Sequence, residues 1–259
     1  GSKRLPNKNI KVFKGKPIIE WTIKSAINSK IFDKIVISGD SEKLQELALK
    51  NNVVYFDRRG KHIDDESSVV DVCLEVLKNE IHEKFDFLWC LYATSPMRNE
   101  KDLINMKEIL QEKKADSICA VTDYQHYAHQ ALVEVDGYLQ PMWPNLFSKK
   151  TNLIPRLYCN NGSTYAVSLD SFMREKSFFT KKTLKYNMPF KKSVDIDTQN
   201  DFDLLLKLNS FKILLRTIGV TDKKITFDLS IISWLSFKTV IDLNFLSSFL
   251  AIFVFLEDI

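Results

Sequence analysis

Short apolar runs alternate regularly with helical stretches over about the first 120 residues, and this order decides the fold class. The run KIVISGD has the composition of a short strand, and SEKLQELALKNN after it has helical periodicity, with Ser41 as its predicted N-cap. The same order continues through VVYFD, SSVVDVCLEVLKNEI, FDFLWCLYATSP, NEKDLINMKEILQEK and DSICAVTDY. It predicts an α/β fold with a mostly parallel sheet covered on both faces and with ligands at the carboxyl ends of the strands.

The alternation breaks between residues 125 and 158, where ALVEVDGYLQPMW predicts a β-hairpin that turns at Asp136 and Gly137. We interpret this part as an excursion from the main sheet. The strand patterns GSTYAVSLDSF and KSVDIDT and the helix pattern QNDFDLLLKLNSFKILL then complete the sheet. The sheet is therefore predicted to close with this helix.

The last part of the chain is unusually apolar, since FDLSIISWLSFKTVIDLNFLSSFLAIFVFL contains only three charged residues. From Val240 to Leu256, 17 residues include a single Asp, which is at the lower limit of what can span a bilayer. A membrane span, a helix packed on the body or on a partner, and an unnatural terminus are the open interpretations.

Composition narrows the class of protein. With 259 residues and 45% hydrophobic content, the chain can bury the core of one or two globular domains. The net charge of +4, from 37 basic and 33 acidic residues, is too small to indicate nucleic-acid binding without a concentrated basic patch. The 4 cysteines show no metal-ligand spacing and lie mostly in apolar runs, so we expect reduced thiols and a cytoplasmic protein.

The opening stretch GSKRLPNKNI contains three cations, Lys3, Arg4 and Lys8, next to Gly1 and Ser2. Backbone N–H groups and cationic side chains together can bind a polyphosphate, because small residues let the backbone approach the anion. A solvated basic terminus or a remainder of cloning is the alternative. Spacing alone does not decide between these interpretations.

A second cluster is the pair Asp195 and Asp197 in SVDIDT. Residues two apart in a strand leave the same face, so both carboxylates are predicted to point one way and Ile196 the other. Two converging oxygen donors suit Mg²⁺, which commonly takes one or two carboxylates and fills its other positions with water and phosphate. An edge strand with solvated acids is the alternative for an isolated pair.

The order of these stretches resembles that of a known family. GSKRLPNKNI with GKPIIEWTI, then FDKIVISGDSEKL, DDESSVVDV, LYATSPMR, NGSTYAV and KSVDIDTQNDFDLL are similar to motifs of the CMP-sialic acid synthetase (N-acylneuraminate cytidylyltransferase) family, with its pseudaminic and legionaminic acid branches. The resemblance covers about residues 1–208 and implies one domain there, with a nucleotide-diphospho-sugar transferase-like α/β/α sandwich, followed by an atypical hydrophobic segment at 209–259. It also implies that the excursion at 125–158 takes part in a homodimer and that the first strand of the family is missing here.

The resemblance implies a Mg²⁺-dependent nucleotidyltransferase that transfers CMP from CTP to the anomeric hydroxyl of a nine-carbon sugar acid and releases pyrophosphate. The metal would be held by Asp195 and Asp197. The residues that would neutralise the triphosphate and the leaving pyrophosphate are Ser2, Lys3, Arg4 and Lys8. Either Asp197 or a hydroxide on the metal would accept the proton of the sugar hydroxyl.

The resemblance also assigns substrate contacts. RRGKHIDDESS is similar to the family's cytosine-recognition stretch, and the candidate nucleotide contacts are Asn9, Arg58 or Arg59, and Ser67 or Ser68. The two serines could instead only cap the following helix. The candidate sugar contacts are Tyr92, Thr94, Ser95, Arg98, Lys149, Lys150, Arg156 and Asn161. A cation among them would pair with the sugar carboxylate.

Two departures from the sialic acid pattern leave the sugar open. Tyr92 stands where sialic acid enzymes usually have Gln and looks more like the pseudaminic acid branch, and Cys159 stands where they tend to have Arg. An eight-carbon sugar acid (KDO) is a further candidate, disfavoured by the opening motif. A catalytically impaired remnant that only binds partners is the candidate from a different class.

Overall fold

The structure of the chain is a computed structural model, which describes residues 4–58, 68–80 and 85–217. Within these residues the strands are β1 (Val12–Phe13), β2 (Lys16–Pro17), β3 (Val36–Gly39), β4 (Val54–Asp57), β5 (Phe87–Leu91), β6 (Ser117–Asp123), β7 (Leu132–Val135), β8 (Tyr138–Pro141), β9 (Tyr158–Ser168) and β10 (Thr183–Asn187). The helices are α1 (Ile18–Ser29), α2 (Glu42–Asn51), α3 (Val69–Glu80), α4 (Glu100–Lys113), α5 (Pro144–Phe147), α6 (Leu169–Glu175) and α7 (Gln199–Thr217). Short 3-10 helices lie at Lys8–Ile10, Ala128–Gln130, Thr151–Leu153 and Phe190–Lys192.

The main strands pair in both directions. Four of them hydrogen-bond in the order β10-β6-β9-β5, with β10 parallel to β6 and with β9 antiparallel to both β6 and β5. A further parallel pair is β3 with β4. The chain leaves the carboxyl end of β6 into the excursion and returns from it into β9, so β9 runs against its neighbours. The predicted α/β fold is confirmed, and β9 is the strand that departs from the parallel direction.

Helices cover the strands on both faces. On one face α1, α2 and α4 pack through residues such as Ile23 and Leu103 against Ile37 of β3. On the other face α3 and α6 contribute Val72 and Phe172 to a cluster with side chains of β3, β4, β5, β6 and β9. Each fully buried aliphatic or aromatic side chain of this kind stabilises the fold by roughly 1.5–3 kcal/mol. The layers form the α/β/α sandwich that the resemblance implied.

Strand β3 is buried along its whole length, although it pairs along one edge only within the described residues. Complete burial of such a run is typical of a central strand. A cavity of about 90 Å³ lies between β3 and β5, lined by apolar side chains that include Val36, Cys73, Trp89 and Leu91, together with Lys34. Most of the side chains that line it are hydrophobic.

The excursion contains the predicted hairpin, formed by β7 and β8. Asp136 and Gly137 lie between the paired residues Val135 and Tyr138, with φ values of 53° and 82°. Two consecutive left-handed residues are what a type I′ turn requires, and Asp-Gly is a favoured sequence for it. The apolar side chains of the hairpin remain exposed to solvent.

The strand predicted for SVDIDT is wrong, because residues 193–198 lie outside any strand. The place beside β6 is taken instead by β10, which the sequence pattern did not indicate. The side chains nevertheless alternate: Val194 and Ile196 are buried, whereas Asp195 and Asp197 face solvent. The two carboxylates therefore share one side of the segment without a hydrogen-bonded ladder.

Among the described residues, no helix combines the length and the apolar character needed to cross a membrane. The segment considered as a membrane span, Val240 to Leu256, lies outside the described residues. The same holds for the predicted C-terminal segment 209–259 beyond the end of α7.

Candidate active site

The segment that carries the two acids is fixed against the loop that follows β5. The Ile196 N–H donates to the carbonyl of Thr94 over 3.1 Å, and the Ile196 side chain is fully buried. Because one side of residues 193–198 is anchored in this way, Asp195 and Asp197 are presented on the other.

The start of α7 holds the backbone around Asp197. The carboxylate of Asp201 accepts hydrogen bonds from the N–H of Asp197 over 3.2 Å and from the N–H of Thr198 over 2.7 Å. A carboxylate in the first turn of a helix pairs donors that the helix itself leaves unpaired. The position of Asp197 is therefore coupled to the beginning of α7.

Asp197 lies between two cations of the opening stretch. Its Oδ1 accepts a hydrogen bond from Lys8 Nζ over 3.0 Å, and its Oδ2 is in contact with the guanidinium of Arg4. Partial burial raises the pKa of Asp197, but the ion pairs with Lys8 and then with Arg4 outweigh it and bring the pKa below its usual value. The structure thus joins two clusters that are 189 residues apart in sequence.

Asp195 lies in a recess that is open to solvent on one side and crowded by protein on the others. The crowding raises the pKa of its carboxyl, and the charge of Asp197 raises it further, while a hydrogen bond from the Thr94 side chain and the charge of Lys8 act in the opposite direction. On the closed side, a Cβ atom placed on Gly162 would lie 2.8 Å from Asp195 Oδ2. The carboxylate is therefore confined between the β5 loop and β9.

The acidic pair fits a divalent cation. Asp197 lies near enough to Asp195 to raise its pKa, and a cation between two such carboxylates relieves their repulsion. Two hard oxygen donors with an open side match Mg²⁺, which usually keeps water and phosphate ligands. In the part of the chain that the structure describes, no group of three or more His, Cys, Asp or Glu side chains could hold a metal. Substrate and water would have to supply the other ligands.

Two of the predicted nucleotide contacts are buried near the carboxyl ends of the strands. Asn9 follows Lys8 in the first 3-10 helix, and its Oδ1 accepts no hydrogen bond from the described residues. Arg58 follows β4, where its N–H donates to the carbonyl of Gly39 over 2.8 Å. A buried acceptor without a partner costs stability unless water or a ligand pairs with it, so Asn9 is available to a ligand.

Ser68 forms a reciprocal cap at the start of α3. Its hydroxyl accepts from the N–H of Asp71 over 3.2 Å, and the Asp71 carboxylate accepts from the N–H of Ser68 over 3.0 Å. This is the capping interpretation that the sequence left open. The other candidates for phosphate or nucleotide contact, Ser2, Lys3, Arg59 and Ser67, lie outside the described residues.

Arg98 is completely buried, and its guanidinium is committed to the protein. It donates to the carbonyl of Ser163, to the hydroxyl of Thr164 over 3.0 Å and to the carbonyl of Tyr92 over 3.2 Å. Burial lowers the pKa of Arg98 to about 9, although the negative charge of Asp102 acts to raise it. Contact between Arg98 and a sugar carboxylate would require these bonds to break, so the geometry favours a structural role for this residue.

The other candidates in the β5 loop differ in their surroundings. Tyr92 is half-buried and packs edge to face on Tyr165, with ring centres 6.0 Å apart. Ser95 is fully buried, and its hydroxyl has no hydrogen-bond partner among the described residues. Thr94 is buried. Its side chain hydrogen-bonds to Asp195, and its carbonyl accepts from the N–H of Ile196 in the same segment as Asp195.

Three cations of the excursion were predicted to pair with the sugar carboxylate, and none of their described contacts is with the residues around Asp195 and Asp197. Lys149 and Lys150 are exposed, and Arg156 pairs with Asp123 over 2.8 Å. Asn161 by contrast is buried at the recess, next to Gly162. The described contacts therefore bring Asn161 to Ser193, in the segment that carries the acidic pair, and they do not bring the three cations there.

Sequence reasoning missed two polar or conformational features, one in β3 and one at the recess. Ser38 is buried in β3 opposite Phe56, and its hydroxyl has no partner among the described residues. A lone hydroxyl inside the apolar run IVISGD is the signal that could have indicated it. Gly162 is the second, and its role depends on a contact with Asp195 that no sequence pattern reveals.

Comparison with known proteins gives four concordant similarities. The family model described as "Cytidylyltransferase" matches residues 1–225. The chain is 29% identical over 217 residues to pseudaminic acid cytidylyltransferase of Campylobacter jejuni, covering 81% of this chain and 93% of that protein. It is 31% identical over 206 residues to N-acylneuraminate cytidylyltransferase of Streptococcus agalactiae, covering 78% of this chain but 49% of that protein. The solved structure of CMP:2-keto-3-deoxy-manno-octonic acid synthetase complexed with CTP has a TM-score of 0.61 at 14% identity, covering 82% of this chain and 95% of that one, and this likeness concerns the fold.

Proposed function

The chain belongs to the cytidylyltransferase family, and on that basis we propose that it transfers CMP from CTP to the anomeric hydroxyl of a nine-carbon sugar acid and releases pyrophosphate. The observation that carries the proposal is the meeting of Lys8 and Arg4 with Asp197, next to Asp195. A triphosphate needs positive charge, and a metal-bound triphosphate needs acidic oxygens beside it. This cluster supplies both at the open side of one recess.

The cations and acids have separate roles in the proposed reaction. Lys8 and Arg4 bind phosphate oxygens and neutralise the charge that grows on the leaving pyrophosphate. The sugar oxygen forms a bond to the α-phosphorus as the bond from that phosphorus to the pyrophosphate oxygen breaks. Asp197 is the candidate acceptor for the proton of the sugar hydroxyl.

Asp195 and Asp197 would hold the Mg²⁺. When bound, the ion supplies positive charge beside the phosphate oxygens and so reduces their repulsion of the sugar hydroxyl. The two acids suit this role because they share the open side of their segment.

For the sugar we propose a nonulosonic acid, with pseudaminic acid as the first member to test. Tyr92 in LYATSPMR and the name of the Campylobacter jejuni relative both favour that branch. The Streptococcus agalactiae relative keeps sialic acid among the candidates. The fold neighbour named for an eight-carbon acid, 2-keto-3-deoxy-manno-octonic acid, makes KDO the alternative substrate.

Release of pyrophosphate from CTP tests the proposal directly. Pseudaminic, legionaminic and sialic acids and KDO are each incubated with CTP, Mg²⁺ and the protein, and the CMP-sugar is identified by mass spectrometry. Release with at least one nine-carbon acid is expected, and mixtures without sugar or with ATP serve as blanks. Release with KDO alone would contradict the nine-carbon assignment. Lack of release with every sugar would favour the remnant that only binds partners.

We also propose that the hairpin of β7 and β8 contacts a second copy of the chain in a homodimer. Tyr138 and Leu139 are 75% and 67% exposed, and Leu132, Val133 and Val135 are exposed beside them. By the strand register, Val133, Val135 and Tyr138 share one face of the hairpin, and Leu132 and Leu139 lie on the other. Exposed apolar side chains grouped in this way are typical of a protein interface. The CTP pool that the reaction consumes supports a cytoplasmic location for the dimer.

A further inference from the structure

A bulge in β9 faces the acidic pair. In the ladder with β6, Cys119 lies opposite Tyr165 and Val121 lies opposite Asn160, so residues 161–164 stand opposite Ala120 alone. Extra residues in one strand bend it and turn side chains away from the regular ladder, and such bulges are frequent beside functional sites. We call residues 161–164 the β9 bulge.

Arg98 ties the β9 bulge to the loop that follows β5. Its Nη1 donates to the Ser163 carbonyl and to the Thr164 hydroxyl, and its Nη2 donates to the Tyr92 carbonyl. The N–H of Tyr92 also donates to the Ser163 carbonyl over 3.0 Å. Because the guanidinium is completely buried, these bonds are shielded from water and hold the bulge at a fixed distance from the loop.

The β9 bulge also holds the segment that carries the acids. The Asn161 side chain donates to the hydroxyl of Ser193 over 3.0 Å, two residues before Asp195. Gly162 has a φ of +62°, and a Cβ there would stand 2.8 Å from Asp195 Oδ2 and 3.5 Å from its carboxyl carbon. The first of these distances is far below ordinary van der Waals contact, so only a residue without a side chain lets the carboxylate occupy its place.

We propose that Gly162 and Arg98 are positioning residues that set the place of the Asp195 carboxylate, and through it the place of the metal-bound triphosphate. The inference rests on the proposed function. Gly162 limits how far the carboxylate can move toward β9, and Arg98 keeps the bulge where it imposes that limit. Neither residue touches the substrate, and both act through Asp195.

Gly162→Ala tests the proposal, with Gly15→Ala as its matched control. Gly15 also has a positive φ, +76°, but a Cβ there meets nothing within 4 Å. Both substitutions therefore carry the strain of a left-handed alanine, and only Gly162→Ala also collides with a carboxylate.

The measurement is calorimetric titration of CTP into the protein without sugar, once with Mg²⁺ and once with EDTA. For Gly162→Ala we expect CTP affinity in Mg²⁺ to fall by about 10- to 100-fold, as when a group that orients a metal ligand is lost. CTP affinity in EDTA should stay at the wild-type value, because the cations are untouched. Gly15→Ala should match wild type in both titrations. Equal loss with and without metal, or no loss at all, would overturn the proposal.

Arg98→Lys is the second variant. Lys keeps the buried charge but cannot reach the Ser163 carbonyl, the Thr164 hydroxyl and the Tyr92 carbonyl together. We expect the same loss of metal-dependent CTP affinity as for Gly162→Ala. An unchanged affinity in Mg²⁺ would remove Arg98 from the proposal.

Thermal unfolding covers the case in which Gly162→Ala folds poorly. When Asp195→Ala removes the carboxylate, the added methyl group no longer collides. The loss of Tm caused by Gly162→Ala should then shrink to that caused by Gly15→Ala. An undiminished loss would show that Gly162 acts on something other than Asp195. A wild-type protein that binds no CTP would defeat the proposed function, whereas a wild type that binds and a variant that is unaltered would defeat this inference alone.

Discussion

Lys8 and Arg4 reach one carboxylate from different surroundings. The Lys8 side chain is 10% exposed, whereas that of Arg4 is 65% exposed. Water and salt screen an exposed charge far more than a buried one. Lys8 should therefore supply the larger part of the electrostatic stabilisation of the triphosphate.

Lys8→Gln should lower kcat/KM for CTP by about 10²- to 10³-fold. This corresponds to a loss of roughly 2.7–4 kcal/mol in transition-state stabilisation, the range for loss of one preorganised donor. Arg4→Gln should cost less because its charge is screened. Initial rates of pyrophosphate release measure both, and Lys11→Gln is the control because Lys11 bonds to Gln199 in the same region. A loss for Lys11→Gln as large as for Lys8→Gln would contradict a specific role for Lys8.

Some site residues could be predicted from sequence and others could not. The opening cations and the two Asp residues carry recognisable motifs, and Lys8, Arg4 and Asp197 do meet in the structure. Arg98 was predicted as a sugar contact, and its complete burial with carbonyl partners follows only from the β9 bulge. A motif shows which residue type is present, but the direction of its side chain depends on pairings with distant segments.

At the scale of elements, helix α1 is tied to α2 by a buried acid. Glu20 is almost completely buried, and both of its oxygens accept from Lys50 Nζ over 3.0 Å, with Lys24 Nζ at 3.3 Å from Oε1. Burial raises the pKa of Glu20, but the bonds from Lys50 and then Lys24 outweigh it and leave the pKa below its usual value. Loss of this carboxylate would leave both lysines without their shared partner.

Glu20→Gln should lower the free energy of unfolding at pH 7 by about 1–2 kcal/mol, since both lysines are partly exposed. A carboxyl with a lowered folded-state pKa stabilises the fold above its unfolded pKa of about 4.3, and this contribution is lost as the pH falls through the folded value. The difference from wild type should therefore shrink below about pH 4.3. Urea unfolding at several pH values measures it, with the exposed Glu46→Gln as control. A difference that stays constant with pH would refute the ion-pair account.

Asp102 joins helix α4 to the segment that leads to the acids. It forms a capping box with Asn99, and its carboxylate accepts from Lys192 Nζ over 2.6 Å and from the Tyr186 hydroxyl over 3.0 Å. The pKa of Asp102 is raised by burial, which Lys192 partly offsets. One buried carboxylate thus serves a helix terminus and a charged pair at once.

Asp102→Asn should destabilise the protein by roughly 3–5 kcal/mol, because it leaves Lys192 in a mostly buried position without its counter-charge. Glu112→Gln, on the same helix but exposed, should change stability by no more than about 0.5 kcal/mol. Chemical unfolding of the two variants side by side makes the comparison. Similar midpoints for both would rule out a structural role for the buried pair.

Sequence periodicity predicted the elements that are long or strongly apolar. It failed for segments whose structure depends on pairing with a neighbouring strand. Strands β3, β4, β5 and β6 and helices α2, α3 and α4 lie where the patterns placed them. The residues TLKYN of β10 carry too little apolar alternation to indicate a strand, yet β10 pairs with β6 along its length. SVDIDT alternates well, but among the described residues no strand edge pairs with it.

For the whole molecule, the exposed hairpin bears on assembly. Tyr138→Glu combined with Leu139→Lys should convert a dimer to a monomer. It puts one charge on each face of the hairpin, and a charge cannot be buried in an interface without a partner. Light scattering after size-exclusion chromatography gives the mass, and circular dichroism checks the fold. Leu49→Lys, at an exposed apolar residue on α2, is the control. An unchanged mass for the double variant would place any dimer contact elsewhere.

The pairing of Lys8 with Asp197 also has a consequence for protein synthesis. Translation produces Lys8 before Asp197, and 189 residues separate the lysine from the carboxylate that completes the ion pair. In a nascent chain that does not yet contain Asp197, the cations of the opening stretch lack this counter-charge. The nucleotide site can therefore assemble only after nearly the whole domain has left the exit tunnel, so catalytic competence arises late in translation rather than growing with chain length.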